Sequence, residues 1–207
     1  MDPLWLFTLL AVGIIVVPGM DMAFVLSSAL VAGRRGGFAA VGGIVAGGVV
    51  HVIMGTLGVG LLLQLFPAAF NAVLVAGALY VAWMGVGLWR SPATLAMPAA
   101  SGAPRALDRT FGRAAVTCLL NPKAYLFMVA VFPQFMHPDR GSLALQAVAL
   151  GAIIAATQLT IYGAVALGAA GLRDALLRNE RLQHAVGRGV ALLLIAMAAW
   201  TLAQAWR

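Results

Sequence analysis

Charge is what this chain lacks most: 9% of its 207 residues are Asp, Glu, Lys or Arg, against about a quarter in a soluble domain. With 63% apolar residues and a mean hydropathy of +1.00, the composition belongs to a protein dissolved in lipid. Acidic residues number only six and form no tract, which excludes a disordered acidic regulator. Cysteine is nearly absent. Cys118 alone permits no internal disulfide, no Cys-x-x-Cys couple and no thiolate metal cage. Also missing are a phosphate-binding loop ending in Gly-Lys-Ser/Thr, a Gly-x-Ser-x-Gly elbow and any His/Cys/Asp/Glu cluster at metal-ligand spacing. ATP-driven pumping by this chain alone is therefore excluded, and neither enzyme chemistry nor a metal or other cofactor is expected.

What is there is long apolar runs, and a helix needs about 20 such residues to cross the hydrocarbon core. Cutting at charges and turn residues predicts six spans, near Leu4 to Ala32, Phe38 to Leu65, Ala69 to Trp89, Ala114 to Met136, Leu143 to Leu172 and Gly189 to Trp206. The connections are then Gly33-Arg34-Arg35-Gly36-Gly37, the Phe66-Pro67 corner, Arg90 to Arg113, His137 to Gly141, and an Arg-rich stretch from Arg173 to Arg188. No period of two runs through these segments, which excludes an outer-membrane barrel. Asp2 in place of a basic start, and an apolar stretch longer than any signal-peptide core, predict that the first segment stays in the mature protein.

Thirteen Lys and Arg against six acids would suggest nucleic acid in a soluble protein, but position decides here. The first, third and fifth connections hold ten of the positive charges: Arg34, Arg35, Arg90, Arg105, Arg109, Arg113, Arg173, Arg178, Arg181 and Arg188. The opposite side holds only Arg140 and Arg207, and Lys123 falls within a span. Positive charge gathers on the cytoplasmic side, so both termini are expected in the periplasm and no nucleic-acid partner is needed.

Pro92, Pro98 and Pro104 among small residues mark a linker that separates three spans from three. The expected organisation is a three-helix repeat over residues 1–90, a cytoplasmic linker over 91–110 and a second repeat over 111–207. In the first span Pro18-Gly19 interrupts the helix about 15 residues before Gly33, and in the fourth Asn121-Pro122 interrupts it about 15 residues before His137. Because three is odd, the second repeat runs through the membrane inverted, an all-α plan of six transmembrane helices shared by many secondary transporters.

Asp21 follows Pro18 by three residues and Lys123 follows Pro122 by one, and these are the only charges inside any predicted span. Each costs about 2.5 to 3.5 kcal/mol at the bilayer centre on insertion scales, and such residues mark pathways more often than packing. Half-helices that begin near the midplane aim free N–H groups and a positive dipole end into the space between repeats. Pro18, Gly19, Asp21, Asn121, Pro122 and Lys123 would thus offer N–H donors, an ammonium and a carboxylate to a small zwitterion. The rival arrangement is an Asp21–Lys123 ion pair that locks the repeats and touches no solute. His51 is placed to relay protons with Asp21, or else is a hydrogen-bonded packing residue. Thr157, Gln158, Thr160 and Tyr162 cluster in the fifth span, with Gln158 and Tyr162 on one face as candidate solute contacts. Gly43-x-x-x-Gly47 and Gly151-x-x-x-Ala155 read as close helix packing, and Trp83, Trp89, Trp200 and Trp206 as interfacial anchors.

Val17-Pro18-Gly19-Met20-Asp21 followed by Gly33-Arg34-Arg35-Gly36-Gly37, Gly43-Ile44 running to His51, Asn121-Pro122-Lys123-Ala124 and Pro133-Gln134-Phe135 resemble the motifs of the LysE/RhtB amino-acid exporters. The resemblance spans nearly the whole chain. It implies a bacterial inner-membrane secondary transporter that exports amino acids or derivatives by proton exchange, with amino acid, protons and lipid as partners and a homodimer as a further option. Val17 stands where the family usually has Thr, and Met20 where it usually has a second Pro. Rival classes are a cation exporter of the same superfamily, an intramembrane enzyme using His51 and Asp21, and a membrane scaffold without transport. The enzyme lacks a nucleophile or metal at recognisable spacing, and the scaffold leaves the paired intramembrane charges unexplained.

Overall fold

The computed structural model describes residues 4–58, 67–90, 104–177 and 179–205, and every regular element there is helical. In chain order these are α1 (Leu4–Val16), α2 (Met20–Thr56), α3 (Pro67–Arg90), α4 (Pro104–Leu119), α5 (Pro122–Ala130), two short 3₁₀ turns (Phe132–Phe135 and Pro138–Arg140), α6 (Leu143–Leu177) and α7 (Glu180–Ala205). Among the described residues, three helices are long and apolar enough to cross a membrane: Met20–Thr56, Leu143–Arg173 and His184–Ala203. A fourth crossing results if Ala106–Leu119 and Pro122–Phe135, bent by 54°, count as one broken span. All-α architecture and multiple apolar spans are thus as expected from composition.

Both proposed breaks occur. α1 ends at Val16 and α2 opens at Met20, while α4 ends at Leu119 and α5 opens at Pro122. Proline explains each, because it supplies no N–H to the preceding turn and its ring clashes with it.

Two connections are much shorter than their composition suggested. Gly33-Arg34-Arg35-Gly36-Gly37 is no loop: only Gly33 leaves helical geometry, at φ 64 and ψ −158, and Arg34 to Gly37 already belong to the second arm of α2. A positive φ of this kind excludes most side chains, so one glycine turns the chain. Gly37 is a packing residue instead, since a Cβ there would lie 2.9 Å from that of Ala166 and 3.0 Å from that of Ala29. The Arg173–Arg188 stretch is likewise mostly helix, because α6 runs to Leu177 and α7 opens at Glu180. Arg173 Nε donates to the Val31 carbonyl at 3.3 Å, tying the end of α6 to the turn at Gly33. In the expected linker, residues 104–110 form the start of α4, and 91–103, with Pro92 and Pro98, lie outside the described residues, as do Phe66, Arg178, Trp206 and Arg207.

α2 is the hub. It packs along α6 and α4, while α3 packs on α7 and α1 on α6. The close approach of α2 to α4 depends on Gly43 and Gly47: a Cβ at Gly43 would strike the Phe111 carbonyl oxygen, and one at Gly47 would lie 2.7 Å from Cys118 Cβ. Two apolar cores result. One gathers Phe24, Val41, Ile44, Tyr162 and Leu194; the other gathers Phe7, Val52, Phe127, Phe132 and Leu150. Outward faces are apolar too, with Trp5, Leu145, Val148 and Trp200 exposed, as suits a lipid-facing surface.

Candidate functional site

A cavity of about 40 Å³ lies between the two cores; Asn121 and Lys123 of the second break line it, whereas the first break contributes only its flanking Ile15 and Asp21. Asp21, His51, Asn121, Lys123, Gln158 and Tyr162 all line it, together with an apolar wall that includes Ile15, Phe127 and Ile154. Six of the nine residues singled out from the sequence are therefore brought together by the fold. Pro18 and Gly19 form the first break itself.

The second break is fully furnished. Asn121 adopts an extended conformation and its side-chain oxygen accepts from the Lys123 N–H at 3.0 Å, capping α5, while Pro122 occupies a first-turn position where no N–H is required. The first break has no such cap. Gly19 is extended at φ −155, a conformation open to any residue, and makes no side-chain bond to the turn that follows. Glycine is needed here for space: a Cβ at Gly19 would lie 2.9 Å from Lys123 Nζ.

That ammonium crosses the gap and donates to the Val17 carbonyl at 2.8 Å, joining residues 106 positions apart. Val17 follows the last residue of α1, where a helix leaves carbonyls without partners and a partial negative charge, so a cation suits it. Asp21 and Lys123 attract each other across the cavity without the close contact of a salt bridge. Both groups face one cavity, but the ammonium is held by Val17 and Asp21 Oδ1 has no hydrogen-bond partner.

Three buried polar atoms on the cavity wall have no partner: Asp21 Oδ1, Gln158 Oε1 and Asn121 Nδ2. Buried groups of this kind normally pair; here the Asn121 amide leans on the Asp21 carboxylate without full hydrogen-bond geometry, and Gln158 Oε1 is left over. Gln158 is laid against Gly48, where a Cβ would lie 2.9 Å from its Oε1. Its former companions separate from it: Thr157 and Thr160 donate to the carbonyls of Ile153 and Ala156, each at 2.8 Å, and so serve their own helix. His51 lies 3.0 Å from the Cys118 carbonyl through Nε2, with its ring edge-on to Tyr125 at 4.7 Å. A carbonyl only accepts, so Nε2 carries the hydrogen.

Cys118 is the residue that motif reading missed. It lines the cavity, and its carbonyl holds His51. A signal was present, because Cys118 stands four before Pro122, and a proline leaves the carbonyl four residues back without its helical donor.

The chain matches the family described as LysE type translocator over residues 12–204, nearly its whole length. It belongs to that family. LysE-type translocators move small molecules and are not catalysts, and among the described residues no group of three or more His, Cys, Asp or Glu could hold a metal ion. Family and apolar helices together make this LysE-type chain a multi-pass protein of the inner membrane. It is 33% identical over 132 residues to a homoserine/homoserine lactone efflux protein of Salmonella typhimurium, which covers 61% of this chain and 61% of that protein. A leucine efflux protein of Salmonella choleraesuis is also 33% identical, over 64% of this chain and 62% of its own length. The chain thus spans about three fifths of the length of these curated relatives. An uncharacterized membrane protein of Pseudomonas aeruginosa is 28% identical across 92% of this chain and 90% of its own. No solved structure matches.

Proposed function

We propose that this LysE-type translocator exports small amino acids or their derivatives across the inner membrane in exchange for protons. The carrying observation is the cavity between the two helix breaks, whose wall presents unpartnered Asp21 Oδ1, Gln158 Oε1 and Asn121 Nδ2 beside the Lys123 ammonium. Two acceptors suit an α-ammonium; a donor, a nearby cation and the start of α5 suit a carboxylate. Tyr162 and the apolar wall enclose the remainder. At about 40 Å³ the cavity is far below the roughly 300 Å³ of ordinary small-molecule sites, so this is a closed state that opens to load. Relatives named for efflux of homoserine, its lactone and leucine support the same class of solute.

In this scheme the chain is an inverted repeat of three helices and three, over 1–90 and 111–207, with both termini periplasmic. Asp21 takes a proton from outside as the amino acid departs, with His51 assisting, and returns it inside. Lys123 holds the breaks together through Val17 until a carboxylate competes for it.

Proteoliposomes loaded with labelled homoserine or leucine test this. Unaltered amino acid should leave, faster under an inward proton gradient. No efflux of any of the twenty amino acids overturns the export reading, and efflux indifferent to the gradient with the membrane potential clamped replaces exchange by facilitated diffusion. Orientation is read separately in a Cys118→Ala background. Ser142→Cys should label with an impermeant thiol reagent on whole cells and Arg188→Cys should not, both positions being exposed; the reverse pattern inverts the topology.

A further inference from the structure

A second and larger space opens on the basic side of the molecule. It holds about 550 Å³ and lies among the ends of α2's first arm, α3 and α4, near α7. Its wall combines Phe24, Trp83 and Met84 with the polar Ser28, Thr110 and Arg113. None of the described residues gives the Arg113 guanidinium a carboxylate partner. A cation at the mouth of an apolar crevice selects amphiphiles that carry one anionic group.

The same two helices floor this crevice and the central cavity. On α2, Asp21 lines the cavity while Phe24 and Ser28 line the crevice, at the spacing that puts three residues along one helical face. On α4, Arg113 lines the crevice, Thr117 follows one turn later with its hydroxyl on the Arg113 carbonyl at 2.8 Å, and Cys118 lines the cavity. Tyr80 of α3 places its hydroxyl beside Thr117 and faces Arg113. Along these two helices the step from crevice to cavity passes a layer of buried side chains, Phe24 on α2 and Thr117 on α4, with Tyr80 beside Thr117.

Resting on the export reading above, we infer that the crevice is an antechamber in which Arg113 takes the carboxylate of an amino acid on the basic face, before that layer opens towards Asp21. Trp83 and Phe24 receive the side chain. This explains the difference in size: the outer space accepts solute with the protein closed, whereas the inner one does not.

Thiol protection tests it without requiring turnover. In a Cys118→Ala background, Ser28→Cys should react with a maleimide applied to inverted vesicles. L-leucine should protect it and isopentylamine, the same molecule without its carboxylate, should not. Arg113→Gln should abolish protection and Arg113→Lys should restore part of it. In efflux assays Arg113→Gln should raise the half-saturating concentration on the basic face about tenfold, as expected for one charge-assisted contact, with the maximal rate kept and the opposite face unaffected. Equal protection in Arg113→Gln, protection by isopentylamine, or no reaction at Ser28→Cys overturns the antechamber. Protection by anionic phosphatidylglycerol in place of leucine overturns it in favour of a lipid headgroup site. Protection without efflux sinks the export reading and leaves only a carboxylate-binding crevice at Arg113; efflux without protection overturns the antechamber and leaves the export reading standing.

Discussion

The two helix breaks occupy matching places yet are built in opposite ways. At Asn121-Pro122 the side chains complete the break: Asn121 caps α5, Pro122 needs no donor and Lys123 carries a cation outward. At Pro18-Gly19 side chains are withheld: Gly19 supplies no cap and no Cβ, and the open Val17 carbonyl accepts what Lys123 delivers. One break gives and the other receives. A carboxylate on the receiving side and an ammonium on the giving side make the pair a dipolar slot, which two identical breaks could not form.

That contrast is broken most severely by removing its charges. Asp21→Asn and Lys123→Met should each insert and fold yet lose transport, by about a hundredfold or more in efflux rate, since each deletes one pole of the slot. Full recovery in the double variant would turn the pair into a structural lock. Next in size is Gly19→Ala. The new methyl would meet Lys123 Nζ at 2.9 Å and Cε at 3.2 Å, so the ammonium must leave Val17. Efflux should fall about tenfold, whereas Gly13→Ala, with nothing within 4 Å, should leave it unchanged.

Asn121 sharpens the comparison with a split outcome. Asn121→Ala loses the cap of α5 and should cost about 1 kcal/mol, seen as a melting shift of roughly 2–4 °C in detergent. Asn121→Ser keeps a cap acceptor but loses the Nδ2 amide donor, so melting should hold while efflux fails. A parallel loss of both properties in both variants would reduce Asn121 to a helix cap. The smallest effect is expected at Thr160→Val. Its hydroxyl serves the Ala156 carbonyl on an exposed face, so efflux kinetics should be unchanged within twofold; a larger change would restore Thr160 to the site.

Composition and prolines made much of this legible. Apolar runs foretold helices, and Pro18 and Pro122 foretold the breaks because a missing N–H acts locally, whatever surrounds it. Asp21, Lys123, Gln158 and Tyr162 stood out because polar groups are scarce in spans, and the fold gathers them on one cavity. Gly33 to Gly37 misled because glycines that turn a chain and glycines that let helices touch look identical in a sequence; only the contact between Gly37 and Ala166 separates them. The Arg-rich stretch misled for a related reason, since arginine is a good helix former and marks a membrane surface without ending the helix there. Backbone acceptors were invisible altogether. Nothing in the side-chain pattern shows that Val17 would hold Lys123 or that Cys118 would hold His51, because carbonyls carry no letter of their own.

The turn at Gly33 bears on how the protein enters the membrane in the first place. α1 has 13 residues and rises about 20 Å; α2's first arm, Met20 to Ala32, is no longer. Neither reaches across a hydrocarbon layer of about 30 Å, and Asp21 at their junction makes the pair a poor substrate for one-by-one insertion. The second arm of α2 follows after a single residue, with only Arg34 and Arg35 to mark the membrane surface at the turn. Met20 to Thr56 must therefore be delivered to lipid as one hairpin, its long second arm carrying the short first arm in. The weak leading segment owes its place in the bilayer to the chain synthesised after it.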